Sequence, residues 1–148
     1  MPDQRPFLTA KWTELLVLNF AVPGEVIARL APRGTEPDYF DGQAYISVVG
    51  FMFRDARFFG IGFPGHHRFE EVNLRYYVRR EVGGTVRRGV VFAREIAPRP
   101  LVAATARWIY NESYITRPMR HSVRLAGNTL AAGDQVGYEW QTGRGSTR

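Results

Sequence analysis

Residues 89–121 read GVVFAREIAPRPLVAATARWIYNESYITRPMRH, and the fold turns on them. Val90, Val91 and Phe92 make a short β-favouring run that Glu95 ends. Pro98 and Pro100 fit only the start of a helix. Leu101, Ala104 and Trp108, with Val102, Ala106 and Ile109, then recur at helical spacing. Asn111 and Ser113 break that pattern, and Ile115 to Val123 resumes an extended one. The stretch therefore predicts strand, turn, helix, turn, strand. Its polar residues gather around the helix ends: Glu95 before it, and Tyr110, Asn111, Glu112, Tyr114 and His121 after it. Such a unit is expected to line a pocket.

Working outward, WTELLVLNF at 12–20 predicts the first strand. Pro23-Gly24 opens a short helix over 25–30, with Val26, Ile27 and Leu30 on one face. Asp41-Gly42 is a turn dipeptide. Residues 43–54, QAYISVVGFMFR, predict a long strand whose near-continuous apolarity implies burial on both faces. Gly50 within it signals a bulge or bend. Residues 55–68 form a loop rich in Gly and Phe. Phe58, Phe59, Ile61 and Phe63 are too apolar for a plain solvent loop. A flap packed on the barrel end is expected there; a lid or subunit contact is the competing reading.

Residues 69–81 alternate. Phe69, Glu71, Asn73, Arg75, Tyr77 and Arg79 share one face, and Val72, Leu74, Tyr76 and Val78 the other. Gly83-Gly84 is a hairpin signal, so 85–96 is the partner strand. Strands at 119–126 and 135–141 complete a set of about six or seven, with two helices. The class expected is α+β: a curved, mostly antiparallel sheet or partial barrel. One domain spans 1–148, with flexible tails expected at 1–6 and 142–148.

Composition narrows function. A chain of 148 residues that is 45% hydrophobic is long enough for one packed domain. The absence of cysteine excludes disulfides, thiolate metal sites and cysteine nucleophiles, and it fits a cytoplasmic location. No apolar run reaches about 18 residues, so no membrane partner is expected. No apolar segment follows basic residues at the N-terminus, so no secretory signal is expected. The net charge of +6 invites a nucleic-acid reading. Lys11 is the only lysine, however, and the arginines are scattered, so this charge reflects compositional bias rather than phosphate recognition. His66-His67 lacks further ligands, so no metal is expected. There is no phosphate loop, dinucleotide fingerprint or Gly-x-Ser-x-Gly elbow, and no cofactor is expected.

Four stretches in order carry a resemblance: FLTAKWTELLVLNFAVP at 7–23, YFDGQAYISVVGFMFRDAR at 39–57, EEVNLRYYVRR at 70–80, and GVVFAREIAPRPLVAATARWIYNESYITRPMRHS at 89–122. Together they resemble the YqjF-like family of bacterial proteins without assigned function, grouped with the acetoacetate decarboxylase-like superfamily. The resemblance implies a curved, mostly antiparallel barrel-like fold with a central cavity. Two departures matter. Acetoacetate decarboxylases form a Schiff base on a lysine near the end of the corresponding helix. Here that region reads Asn111-Glu112-Ser113-Tyr114-Ile115, without lysine. Family members also usually continue beyond this chain's end, with FLTERY-like and Pro-Trp-Pro-like stretches. A shortened member is expected, or a fragment whose missing strands come from a partner. The second case leaves an open sheet edge that favours a homodimer.

The candidate chemistry follows. Glu112 and Tyr114 are the candidate catalytic residues, a carboxylate and a phenol in an apolar cavity suited to general acid–base work. The competing reading pairs Glu112 with Arg75, Arg117 or Arg120. Asn73, Arg75, Glu95, Tyr110 and His121 are the candidate ligand-binding residues. Arg75 holds a carboxylate if its strand face lines the cavity, and is polar surface if that face meets solvent. Glu95 either pairs with Arg94, Arg99 or Arg107 or faces the cavity. His121 is a proton carrier or a structural residue. The expected function is binding of a small carbonyl or carboxylate compound without a Schiff base, with catalysis left open. The alternative is a non-catalytic interaction or oligomerisation module, using the Phe58–Phe63 loop or an uncapped strand edge.

Overall fold

The computed structural model describes residues 8–58, 60–62, 68–98, 114–127 and 131–142. In chain order its elements are β1 (Leu8–Val22), α1 (Gly24–Leu30), β2 (Glu36–Pro37), β3 (Ala44–Phe58), β4 (Ile61–Gly62), β5 (Arg68–Val82), β6 (Thr85–Ala97), β7 (Tyr114–Thr116), β8 (Met119–Arg124) and β9 (Gln135–Trp140). The main sheet runs β1-β3-β5-β6-β7, with β2 on β5 and β4 on β3. All its pairs are antiparallel except β6 with β7. This described sheet is open, so the mostly antiparallel architecture holds while a closed barrel is not seen.

Strands β6 and β7 flank the middle of the opening stretch and pair in parallel. Parallel neighbours need a crossover of roughly a dozen residues or more. The second predicted helix, with Tyr110 and Glu112, lies outside the described residues. The predicted strand 115–123 is not one strand. Proline lacks the N–H that a ladder needs, and Pro118 divides the run into β7 and β8. Strand β8 pairs with β9 in a separate two-stranded ribbon.

The turns follow their residues. Gly83 and Gly84, both at positive φ (+57° and +75°), join β5 to β6. Asp41 and Gly42 do the same (+50° and +74°) between the bridged pair Phe40 and Gln43. Both match the left-handed requirement of tight hairpin loops. The flap expected at 55–68 is not packed at Ile61, which is exposed.

Two bulges bend the first strand pair. An extra residue in β1 sits between Thr13 and Leu16, and an extra one in β3 lies opposite the Thr9–Lys11 step. Glu14 and Asp55 take up the left-handed backbone there (φ +56° and +54°). That conformation is uncommon away from glycine. Each acid is held by a cation: Arg54 on Glu14, and Lys11 on Asp55 at 3.0 Å. The Lys11 ammonium keeps the Asp55 carboxyl below its ordinary pKa.

Gly50 faces the β1 bulge rather than forming one. A Cβ there would lie 2.5 Å from a ring carbon of Tyr138. Glycine is therefore what lets the β8–β9 ribbon seat its tyrosine on the sheet. The Tyr138 hydroxyl then donates to the Glu14 carbonyl at 2.7 Å. Beside it, His121 Nδ1 meets Glu70 Oε1 at 2.6 Å.

At the other end of this face, α1 covers the sheet. Ile27 is buried with Ala44, Tyr76 and Val78, and the Tyr76 hydroxyl donates to the Leu30 carbonyl at 2.6 Å. Val26 and Leu30, expected beside Ile27, are exposed, because seven residues present few positions inward. The opposite face of the sheet holds Val49, Phe51, Phe53, Ala56 and Phe69. Trp12 stacks on Phe51 there at 4.3 Å.

Burial, with Glu14 and Glu70 adding to it, pushes the Tyr138 phenol up to about 12. A raised folded-state pKa means a contribution fully present below the unfolded value of about 10 and lost as pH rises through 12. In a spectrophotometric titration, Tyr138→Phe is expected to remove a late-titrating tyrosine and to cost about 1 kcal/mol in urea melts. Gly50→Ala is expected to cost about 1–3 kcal/mol, from overpacking against the same ring. A full-strength Gly50→Ala melt would show that the ribbon does not depend on this seat.

Candidate functional site

Partners in an antiparallel ladder place their side chains on the same face. The β3–β5 register pairs Phe53 with Phe69, Phe51 with Glu71, Val49 with Asn73, and Ser47 with Arg75. The β5–β6 register adds Glu95 opposite Asn73. One face of the sheet thus grades from aromatic at Phe53 and Phe69 to polar at Asn73, Glu95, Arg75 and Ser47. This is the face opposite α1 and the β8–β9 ribbon.

The polar end is not surface. Among the described residues four polar side chains are buried: Ser47 (0% exposed), Asn73 (1%), Glu71 (2%) and Glu95 (3%). The register puts all four on this one face. Buried polar atoms cost free energy unless they find partners. Asn73 Oδ1 and Arg75 Nε are buried and meet no hydrogen-bond partner among the described residues. The Arg75 guanidinium sits 5.7 Å from the centre of the Tyr77 ring, in cation–π range. The Ser47 hydroxyl donates to Asn19 Oδ1 at 2.5 Å and lies 2.8 Å from the Tyr77 hydroxyl. A cation, an amide and two acids thus share one covered face of the sheet.

The structure brings together Asn73, Arg75 and Glu95 of the predicted site. Their face is the buried one, not polar surface. Glu95 and its chain neighbour Arg94 point to opposite faces, and Arg94 is exposed. Tyr114 is the register partner of Glu95. Tyr110 and Glu112 lie outside the described residues. His121 stands apart from the rest: it sits on β8 and meets Glu70, which pairs with Met52 on the opposite face. Lys11 is in an exposed ion pair with Asp55, not in the desolvated setting that makes an amine nucleophilic. Ser47 was missed at the sequence level. Its signal was a lone hydroxyl in the apolar run of β3. Glu71 was placed on the right face but not assigned to the site.

A curved, open, β-rich sheet with a polar interior face is the class that this fold and site define. A family model for DUF2071, described as an uncharacterized conserved protein, matches residues 9–147, and the chain belongs to that family. It is 29% identical over 122 residues to the uncharacterized protein YqjF of Bacillus subtilis strain 168. That alignment covers 81% of this chain and 48% of YqjF. Two structures of the enduracididine biosynthesis enzyme MppR share the fold, with a TM-score of 0.60 and 16% identity. One holds the condensation product of pyruvate and imidazole 4-carboxaldehyde, the other HEPES. The match covers 86% of this chain and 48% of MppR. The chain therefore spans about half the length of the relatives it matches. The resemblance to the YqjF-like family holds. No described helix is long and apolar enough to cross a membrane.

A buried acceptor without a partner costs about 1–3 kcal/mol, which an apolar residue of similar size recovers. Asn73→Leu is therefore expected to melt at or above the wild-type temperature in calorimetry. A large loss of stability would make Asn73 a structural residue instead.

Proposed function

We propose that this chain forms the polar wall of a cavity that binds a small carbonyl or carboxylate compound. One observation carries the reading: Asn73 Oδ1 and Arg75 Nε, buried and without hydrogen-bond partners among the described residues, share a face with Glu71 and Glu95. In this reading Arg75 holds a ligand carboxylate and Asn73 accepts a hydrogen bond from its hydroxyl or enol. Glu112 and Tyr114 are the proposed acid–base residues, and Glu95, the register partner of Tyr114, is a proposed ligand-binding residue. Chemistry of this kind needs no Schiff base. MppR gives support at the level of fold, since one of its structures contains a condensation product of pyruvate. The acetoacetate decarboxylase-like superfamily is the grouping that best suits both. The proposed setting is the bacterial cytoplasm.

The test is isothermal titration of pyruvate and acetoacetate into the purified protein, with Arg75→Gln alongside. At least one of these keto acids is expected to bind. Arg75→Gln is expected to weaken it at least about tenfold, the factor that a lost charge-assisted hydrogen bond carries. Absence of binding by either acid to the wild type overturns the reading.

A second reading, an oligomerisation module, has its own observation. Trp12, Leu15 and Phe20 are each 52% exposed on β1, a 15-residue edge strand. Long apolar edges invite pairing. Light scattering is expected to show a dimer that Phe20→Lys shifts toward monomer. A wild-type monomer at high concentration rejects this second reading.

A further inference from the structure

Strand β1 ends the main sheet, and no described strand pairs with its outer edge. The first half of that edge is guarded. Lys11 and Glu14 carry charge there, and the bulge between Thr13 and Leu16 bends the strand; both features discourage pairing. The second half is not guarded. Over residues 16–22 the ladder to β3 runs without a register shift, so this run is regular strand. It reads LVLNFAV, with no charge and no proline. Pro23 follows at once and, lacking an N–H, closes the run.

Both faces of this run are open. Alternation puts Val17, Asn19 and Ala21 on the polar face of the sheet, and Leu18 and Phe20 on the face that carries α1. Val17 is 39% exposed, Leu18 45% and Phe20 52%, and Asn19 and Ala21 are exposed too. A strand that is apolar toward both faces suits the interior of a sheet, not its margin. An edge also leaves a row of backbone N–H and C=O groups unpaired. The polar face reaches this margin, since the bonded chain from Tyr77 through Ser47 ends at Asn19.

The run is complementary to itself. Turned about a two-fold axis through Asn19, residues 16–22 face residues 22–16 of a second copy in antiparallel order. Leu16 then meets Val22, Val17 meets Ala21 and Leu18 meets Phe20, while Asn19 meets Asn19. Every apolar side chain faces an apolar one, and an amide, which both donates and accepts, faces an amide. Like faces stay together, because the opposed positions are an even number of residues apart. An uncharged run offers no pattern by which an oppositely charged partner would be chosen. The chain spans 48% of YqjF and of MppR, so two copies supply about the length of one such relative. We propose that two copies of this chain pair through residues 16–22 of β1, antiparallel and centred on Asn19, so that their sheets and polar faces become continuous. The proposal rests on the oligomerisation reading above and gives it a partner, an interface and a register.

The chain has no cysteine, so single ones introduced into it report the register. Opposed residues in an antiparallel pair have Cα atoms about 4.5–5.5 Å apart, within disulfide reach. Asn19→Cys is therefore expected to crosslink with itself under copper–phenanthroline oxidation and to run at dimer mass on a non-reducing gel. Val17→Cys lies four residues out of step with its own counterpart, roughly 13 Å along the strand, so alone it is expected to run as monomer. Ala21→Cys alone is expected to do the same. Mixed and allowed to exchange subunits, Val17→Cys and Ala21→Cys are expected to crosslink, and this pair decides the matter if Asn19→Cys does not fold. Self-crosslinking of Val17→Cys as strong as that of Asn19→Cys overturns the proposal. So does a light-scattering dimer in which neither Asn19→Cys nor the mixture crosslinks; the oligomerisation reading then stands through another surface. A wild-type monomer at high concentration overturns both. Keto-acid binding bears on neither.

Discussion

The structure depends on a central strand pair that is covered on both sides. Strands β3 and β5 contribute most of the buried residues, and they do so from both faces: Phe51 and Asn73 on one, Met52 and Val72 on the other. A two-sided core is usual for strands covered by helices on both faces and unusual for an antiparallel meander, which can leave one face in water. Here one cover is composite. Helix α1 caps one end of the face and the β8–β9 ribbon the other, and a tyrosine hydroxyl on a backbone carbonyl helps fasten each: Tyr76 on Leu30 and Tyr138 on Glu14. Tyrosine suits this role because the ring packs as an apolar body and the hydroxyl finds an acceptor at its tip. Burial raises the pKa of both phenols.

The bend in β1 is tied to the same fastening. A non-glycine residue in left-handed backbone costs on the order of 1–2 kcal/mol. At Glu14 that cost is offset by several contacts at once. Arg54 reaches its carboxylate and Thr13, Arg68 approaches at 3.8 Å, and Tyr138 takes its carbonyl. The bulge is thus the point where first strand, third strand and ribbon meet. By shifting register between Thr13 and Leu16, it sets Trp12 opposite Phe53 and Asn19 opposite Ser47. Both the aromatic and the polar ends of the interior face depend on that register, since a slip of one residue would turn every side chain to the wrong side.

Much of this was legible in the residues, and the rest was not for identifiable reasons. Period-two alternation located β5 and its two faces, and the Gly83-Gly84 and Asp41-Gly42 turns carry φ > 0 requirements that few other pairs meet. Gly50 was recognisable as special, but its reason is a ring from residue 138 in a distant ribbon, and no local pattern reports that. Glu14 reads as an ordinary polar residue in a strand; its bulge is imposed by tertiary contacts. Pro118 does carry a local signal, the missing N–H, and it divides a run that apolar pattern alone reads as continuous. In the candidate site, Asn73, Arg75 and Glu95 were legible because alternation and hairpin register bring them together. Ser47 was obscured by its apolar neighbours. His121 was misplaced because its position depends on which sheet β8 joins, and that is settled by packing rather than by its sequence.

The balance of the interior face bears on what it can hold. Glu71 and Glu95 each already have an interaction partner, so they are not what a guest would meet first. What remains among the described residues is a buried charged donor, Arg75 Nε, and a buried neutral acceptor, Asn73 Oδ1. They stand two residues apart on one strand face, roughly 6.5 Å along the strand. That is about the reach of a short acid carrying a hydroxyl or enol, with the carboxylate at one end and the donor toward the other. Leaving both atoms unmet among the described residues costs stability. In the proposed reading a ligand completes the set.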